Sequence, residues 1–205
     1  AYIPTMGEKH PGHLGRPGRE MWAEAWGVLQ ELFDGVVRDD QSFWAADYPF
    51  MLERHGFLEE TYFDISYDPI RAADGSVSGV LCIVSDTTGR VLNERRVRTL
   101  SALGRRLADE ADQAGLGARV AEVLGQSRAD VPFSALWLDD PVAGGEPELI
   151  SWTGAPAVRP ASVVVESGEP VRVASRLVCD PPPPGAADEA LVLPIGVGTG
   201  SAGVL

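Results

Sequence analysis

The chain has 205 residues, 44% of them hydrophobic and 23% charged, with 30 acidic against 17 basic side chains and a net charge of −13. This is the composition of globular protein, long enough for two ordinary domains, and its negative charge argues against nucleic acid and acidic lipid as partners, because phosphate is bound by clustered positive charge. No apolar run reaches the roughly 20 residues of a membrane span. The start, Ala1-Tyr2-Ile3-Pro4-Thr5-Met6, has no basic region or apolar stretch of an export signal, so a cytoplasmic address with no membrane contact is expected.

Up to Gly18 the chain is rich in Pro and Gly and reads as loop with short helical turns. From Arg19 onward Trp22, Trp26, Leu29, Phe33 and Val36 recur at steps of three and four, which predicts one amphipathic helix of about five turns, ended by Gly35 and Asp39-Asp40. Residues 42–52 are aromatic-rich without helical spacing and read as a strand with an irregularity at Pro49. A turn at Arg54-His55-Gly56 leads into residues 61–68, where Phe63, Ile65 and Tyr67 alternate with Asp64, Ser66 and Asp68, the pattern of a half-buried strand. Asp74-Gly75 is a tight turn, and residues 80–84 predict a further strand that is apolar on both faces.

Residues 90–113 contain no proline, and Val97, Leu100, Leu103 and Leu107 lie among charged neighbours. This predicts a connecting helix whose stripe a parallel partner helix would cover, so a homodimer is expected. A second helical pattern follows at Leu116, Val120, Val123 and Leu124, then strands over residues 133–138, 148–153, 170–174, 190–195 and 202–205. Gly144-Gly145 and the run Pro181 to Pro184 read as loops. Tyr2 begins mid-pattern and Leu205 ends mid-strand, as expected of a piece of a longer protein.

The run from Tyr62 to Arg71, the Asp74-Gly75 turn, and the run from Gly79 into Asp86-Thr87-Thr88-Gly89-Arg90 resemble the final two strands and the exit of a PAS domain. In that family an Asp-x-Thr triplet leads from the last strand into a signalling helix. The later segments Ala135-Leu136-Trp137-Leu138-Asp139-Asp140, Glu166-Ser167-Gly168-Glu169-Pro170-Val171 and Ala190-Leu191-Val192-Leu193-Pro194-Ile195 resemble a GAF domain. The arrangement is similar to the amino-terminal sensory part of bacterial multidomain histidine kinases. The resemblance implies an α+β protein of two domains, each a mainly antiparallel sheet with flanking helices. These are residues 1–98, PAS-like with its first strands missing, and residues 99–205, GAF-like with its carboxyl-terminal part missing. It also implies a downstream kinase domain and a response regulator as partners. A serine phosphatase is the alternative output.

Asp86, Thr87 and Thr88 are the expected signal-transfer residues, since Asp and Thr can cap an emerging helix and fix its exit. Trp22, Trp26, Phe63, Ile65 and Tyr67 either enclose a small-molecule cavity or fill that space as packed core. No catalytic residue, metal site or identified cofactor is expected. His10 and His13 lack further ligands nearby, His55 has no nucleophile motif, and Cys82 and Cys179 are too isolated for a disulfide or metal framework. Gly198-Thr199-Gly200-Ser201-Ala202-Gly203 has the spacing of a dinucleotide-binding loop, but Val204-Leu205 resumes strand character, which favours a hairpin over a nucleotide-binding enzyme.

Overall fold

The computed structural model describes residues 2–108, 113–138, 148–154, 170–178, 188–197 and 200–204. It divides into two units, Ala1–Arg95 and Arg96–Leu205, and its class is α+β.

In the first unit, Pro4 opens a one-turn helix α1 (Ile3–Met6), where its missing N–H costs nothing. Gly7 follows at φ +58°, and a Cβ there would lie 2.2 Å from the Arg54 carbonyl oxygen. Glu8 donates its N–H to that oxygen at 2.8 Å. The glycine thus lets the amino-terminal loop press against backbone that a side chain would exclude.

Lys9, the chain's only lysine, donates to the Met21 carbonyl at 2.8 Å, pairs with Glu24, and lies 4.8 Å from the Trp22 ring centroid. This contact explains a departure from the sequence reading. The expected continuous helix is interrupted into α2 (Gly18–Met21), a 3-10 turn at Ala23–Ala25, and α3 (Trp26–Asp39). In an unbroken helix the Met21 carbonyl would accept the Ala25 amide; here it accepts Lys9, and the Ala25 amide turns to the Trp22 carbonyl at 3.0 Å. Helix α3 runs through Gly35 and stops where Asp40 adopts a left-handed φ of 52°.

Strands β1 (Phe43–Glu53), β2 (Leu58–Arg71) and β3 (Val77–Asp86) form an antiparallel sheet in the order β1-β2-β3. One face packs Phe50, Leu52, Phe63, Ile65 and Tyr67 against Met6, Trp22, Leu29 and Val36. The irregularity in β1 is not at Pro49, which pairs in register with Tyr62, but between Ala45 and Tyr48, where Asp47 has φ 50°. Strand β3 is apolar on both faces as expected, but only one face is covered. Val84 packs on the core, whereas Leu81 and Ile83 are 49% and 60% exposed.

Helix α4 (Thr88–Leu107) begins at the end of β3 and crosses the division between the units. The second unit continues with α5 (Gln113–Gly125) and strands β4 (Ser134–Leu138), β5 (Glu148–Thr153), β6 (Val171–Ala174), β7 (Glu189–Val192), β8 (Pro194–Val197) and β9 (Gly200–Val204). A four-stranded sheet runs β5-β4-β9-β8, and β6 pairs with β7. Val120, Leu124 and Leu136 form its core, with Leu103, Leu107, Leu116 and Ile150 packed around them. Gly117 is what lets α5 approach β5, since a Cβ there would stand 2.3 Å from Ile150 Cγ2 and 3.0 Å from its carbonyl oxygen. The single strand expected over residues 190–195 is two, divided at Leu193, with β7 and β8 serving different sheets.

Gly198 and Thr199, like Cys179, Asp139-Asp140, Gly144-Gly145, residues 166–169 and Pro181 to Pro184, lie outside the described residues. The strands on either side of Gly198-Thr199 pair antiparallel, Val197 opposite Gly200, and Gly200 to Gly203 lie within strand β9 rather than at the start of a helix. Among the described residues no helix is long and apolar enough to cross a membrane.

Candidate functional site

Alternation along β2 puts Phe63, Ile65 and Tyr67 on the covered face, and all three are buried. Burial pushes the Tyr67 hydroxyl far above its ordinary pKa, so it stays neutral. Trp22 reaches the same region from the break between α2 and α3. These four side chains, with neighbours such as Leu29 and Phe50, line a cavity of about 50 Å³. Trp26 does not line it; its ring packs against Phe33 at a centroid separation of 6.0 Å. The aromatic rings occupy the rest: Phe33–Tyr67 at 5.1 Å, Tyr48–Phe50 at 5.1 Å and Phe50–Phe63 at 6.1 Å. The space left holds a few waters, whereas small-molecule pockets usually offer about 300–1,000 Å³.

Asp86, Thr87 and Thr88 form a denser arrangement. The Thr87 amide donates to the Tyr62 carbonyl at 2.9 Å, and the first helical bond of α4 runs from Val91 N–H to the Thr87 carbonyl at 3.0 Å. Asp86 Oδ1 accepts the Thr88 N–H at 2.9 Å, satisfying a donor that the helix start leaves free. Asp86 Oδ2 meets Arg54 Nη1 at 2.9 Å, and Arg54 Nη2 meets Glu59 at 2.9 Å. The Arg54 side chain is only 11% exposed, and its Nε is buried with no hydrogen-bond partner among the described residues. Thr88, itself buried, accepts the Tyr62 N–H on Oγ1 at 3.0 Å and donates from Oγ1 to the Tyr62 carbonyl at 3.3 Å.

Two further acidic residues extend the tie along α4. Asp47, turned by the bulge in β1, accepts the Thr87 hydroxyl at 2.7 Å and pairs with Arg90, while its own amide donates to Asp64 at 2.9 Å. Glu60 on β2 holds Arg95 bidentately at 2.7 and 2.9 Å and accepts the Tyr62 hydroxyl at 2.6 Å. The Arg90 bond and the Thr87 hydroxyl hold the Asp47 carboxyl below the usual carboxylate range, and Arg95 does the same for Glu60. At Asp86 burial favours the neutral acid, but Thr88 and Arg54 outweigh it and the carboxyl is again lowered. The result is a start to α4 fastened by side chains from β1, β2 and the turn between them.

The sequence reading named Asp86, Thr87 and Thr88 but not Asp47, Arg54, Glu60 or Tyr62. Their partners at the start of α4 are 25 to 43 residues away, and the positive φ of Asp47 leaves no mark in the sequence. The one available signal was a pair of strand carboxylates preceding an arginine-rich helix start.

A second cavity lies within the Arg96–Leu205 unit, with a volume of about 770 Å³ and a mostly apolar lining that includes Leu100, Leu103, Phe133, Trp137, Val178 and Val192. It is of the size small molecules occupy. The sequence reading placed its candidate pocket residues in the first unit alone and named none of this lining, although Trp137 on β4 was visible as a large apolar residue. His13 Nδ1 lies 3.2 Å from the Lys9 carbonyl and His55 Nδ1 lies 2.7 Å from Glu59. Among the described residues no group of three or more His, Cys, Asp or Glu side chains is placed to hold a metal ion. No protein-family model matches the chain.

Proposed function

We propose that the chain is a signal-input region of a bacterial sensor histidine kinase, passing ligand or partner binding through α4 to a kinase core and so to a response regulator. The observation that carries this reading is the fastening of the α4 start. Asp86, Thr87, Thr88, Arg90 and Arg95 are each bonded to side chains or backbone of the β1–β2 part of the sheet. A shift of those strands therefore displaces the first two turns of the helix rather than being lost in a loose linker. Two packings of the sheet would give two helix directions, which is what a switching element requires. The 770 Å³ cavity supplies a place for a mainly apolar small molecule, bounded in part by Leu100 and Leu103 of α4 itself. The alternative of a small nucleotide-binding enzyme is disfavoured because Gly200 to Gly203 lie in a strand antiparallel to β8 and not in a turn that opens a helix.

The test is regulated phosphotransfer by the parent protein carrying Asp47→Asn, which removes a charge pair at the exposed end of the network. The pair is half exposed on the Arg90 side, so solvent screens it and its removal should leave stability nearly unchanged. Altered signal dependence at unchanged melting temperature supports the reading. Normal regulation in this variant and in Glu60→Gln would remove it.

A further inference from the structure

His55, in the turn between β1 and β2, stands at the outer end of a continuous series of bonds that finishes inside α4. Its Nδ1 lies 2.7 Å from Glu59 Oε1. Glu59 Oε2 accepts from Arg54 Nη2 at 2.9 Å, and Arg54 Nη1 donates to Asp86 Oδ2 at 2.9 Å. Asp86 Oδ1 then accepts the Thr88 N–H at 2.9 Å. Each of the three middle side chains meets one neighbour on one atom and the next neighbour on another. The His55 side chain is 53% exposed, whereas those of Glu59 and Arg54 are sheltered. An end open to water therefore leads into an interior where charges act on each other more strongly.

Arg54 is a stiff link in this series. Its carbonyl is held by the Glu8 N–H at 2.8 Å, with Gly7 pressed against the same backbone, and a guanidinium is a planar fork whose two ends cannot turn separately. The other charges at the turn are fixed in mild acid. Burial disfavours the Glu59 carboxylate, but Arg54 and His55 outweigh it and the carboxyl is lowered, as that of Asp86 is by Thr88 and Arg54; arginine stays protonated. Glu24, which accepts the Glu53 N–H at 2.9 Å beside the turn, is paired with Lys9, and Glu8 enters through its backbone. Imidazole is the side chain whose charge changes between about pH 5 and pH 8.

We propose that His55 is a proton-responsive control on the start of α4, its protonation tightening the hold of Arg54 and Asp86 on the Thr88 amide. Arg54 carries one positive charge between the negative charges of Glu59 and Asp86. While His55 is neutral, Glu59 is committed to Arg54 and draws it away from Asp86. An imidazolium at Nδ1 takes a share of the Glu59 charge and brings the four groups into balance. Arg54 then leans on Asp86, and Asp86, fixed by one oxygen, keeps the other aimed at the Thr88 N–H. The proton comes from solvent through the exposed ring and returns to it. By reciprocity, whatever firms the first turn of α4 favours the proton on His55 by the same factor. The inference concerns this chain alone and holds whether or not α4 leads to a kinase.

The experiment is a nuclear magnetic resonance titration of the 205-residue chain from about pH 8 to pH 5, following the ring nitrogens of His55 and the amides of Thr88 and Val91. The Thr88 amide should shift with the same midpoint as the His55 ring. The Val91 amide, which makes the first helical bond of α4 to the Thr87 carbonyl, should gain about twofold to fivefold protection from exchange toward the acid end, corrected for intrinsic rate, as a partly exposed ion pair supplies. Glu59→Gln keeps the shape of the link but removes its charge; the His55 ring should still titrate while Thr88 no longer follows it. Should that variant fail to fold, His55→Gln changes an exposed side chain and must abolish the Thr88 response by itself. A Thr88 amide that ignores the His55 titration, or Val91 protection that falls toward acid, overturns the proposal. So does a response that survives His55→Gln, which would assign it to another group, or one undiminished in Glu59→Gln, which would reduce it to a direct field of the imidazolium.

Discussion

Replacing Asp86 by alanine removes two things at once, and the structure lets their costs be separated. The carboxylate caps the Thr88 amide at 2.9 Å, a contact of about 1 kcal/mol. It also neutralises Arg54, whose side chain is 11% exposed and whose Nε already lacks a partner among the described residues. Breaking a buried pair costs about 3–5 kcal/mol when the remaining charge is stranded. Arg54 keeps Glu59, however, and the Asp86 side chain is 32% exposed, so solvent screening brings this share down to about 1–2 kcal/mol. The sum is about 2–3 kcal/mol, well above what a helix cap alone would give. Native-state hydrogen exchange of the buried β2 amides reads this loss for the first unit separately from the second, which thermal melting of a two-unit chain does not. Asp86→Asn keeps an acceptor for Thr88 and should fall between wild type and alanine. In a double-mutant cycle with Arg54→Met the two losses should be non-additive by at least about 1 kcal/mol. A loss below about 0.5 kcal/mol in Asp86→Ala, or strict additivity with Arg54→Met, would refute the reasoning.

Gly7→Ala should destabilise the first unit by about 2–3 kcal/mol, because the added Cβ meets Arg54 backbone and the residue sits at positive φ; chemical unfolding checks it, and a neutral effect would mean the loop moves away freely. Trp22→Ala should cost about 3–5 kcal/mol and the less buried Trp26→Ala clearly less, an order that equilibrium denaturation of the two variants can reverse or uphold. The lowered carboxyls of Asp47, Glu60 and Asp86 make the first unit's stability depend on acid. Since the unfolded chain binds their protons more readily, this stabilisation is whole above the ordinary carboxylate range near about pH 4 and is lost as pH falls through the lower folded values; a first unit that gains stability between pH 5 and pH 3 would contradict it.

The elements that sequence periodicity revealed are those whose burial is one-sided and local. The alternation of Phe63, Ile65 and Tyr67 fixed both the strand and its covered face, and the spacing of Val120, Val123 and Leu124 located α5. Where the reading failed, a distant partner had overridden the local pattern. Trp22 continues the helical spacing toward Trp26, yet Lys9 takes the Met21 carbonyl and the helix breaks. Pro49 looked like the disturbance in β1, but a proline whose nitrogen faces the open edge costs nothing, and the bulge formed two residues earlier, where Asp47 reaches Thr87. Asp86, Thr87 and Thr88 were legible because their motif is contiguous. Arg54, Asp47 and Glu60 were not, because only the folded sheet brings them to the same helix.

The central claim is that α4 conveys a change of direction set at its first turns to whatever follows. It is tested most directly by inserting residues between Arg96 and Val97 in the parent protein and measuring output with and without signal. Each added residue rotates the helix beyond it by about 100°. Seven residues restore nearly the original phase, about 20° short of two full turns, and should keep normal regulation. Two residues turn the downstream helix by about 200° and should invert or abolish it. Regulation that declines steadily with insertion length, or that ignores phase altogether, would contradict the account.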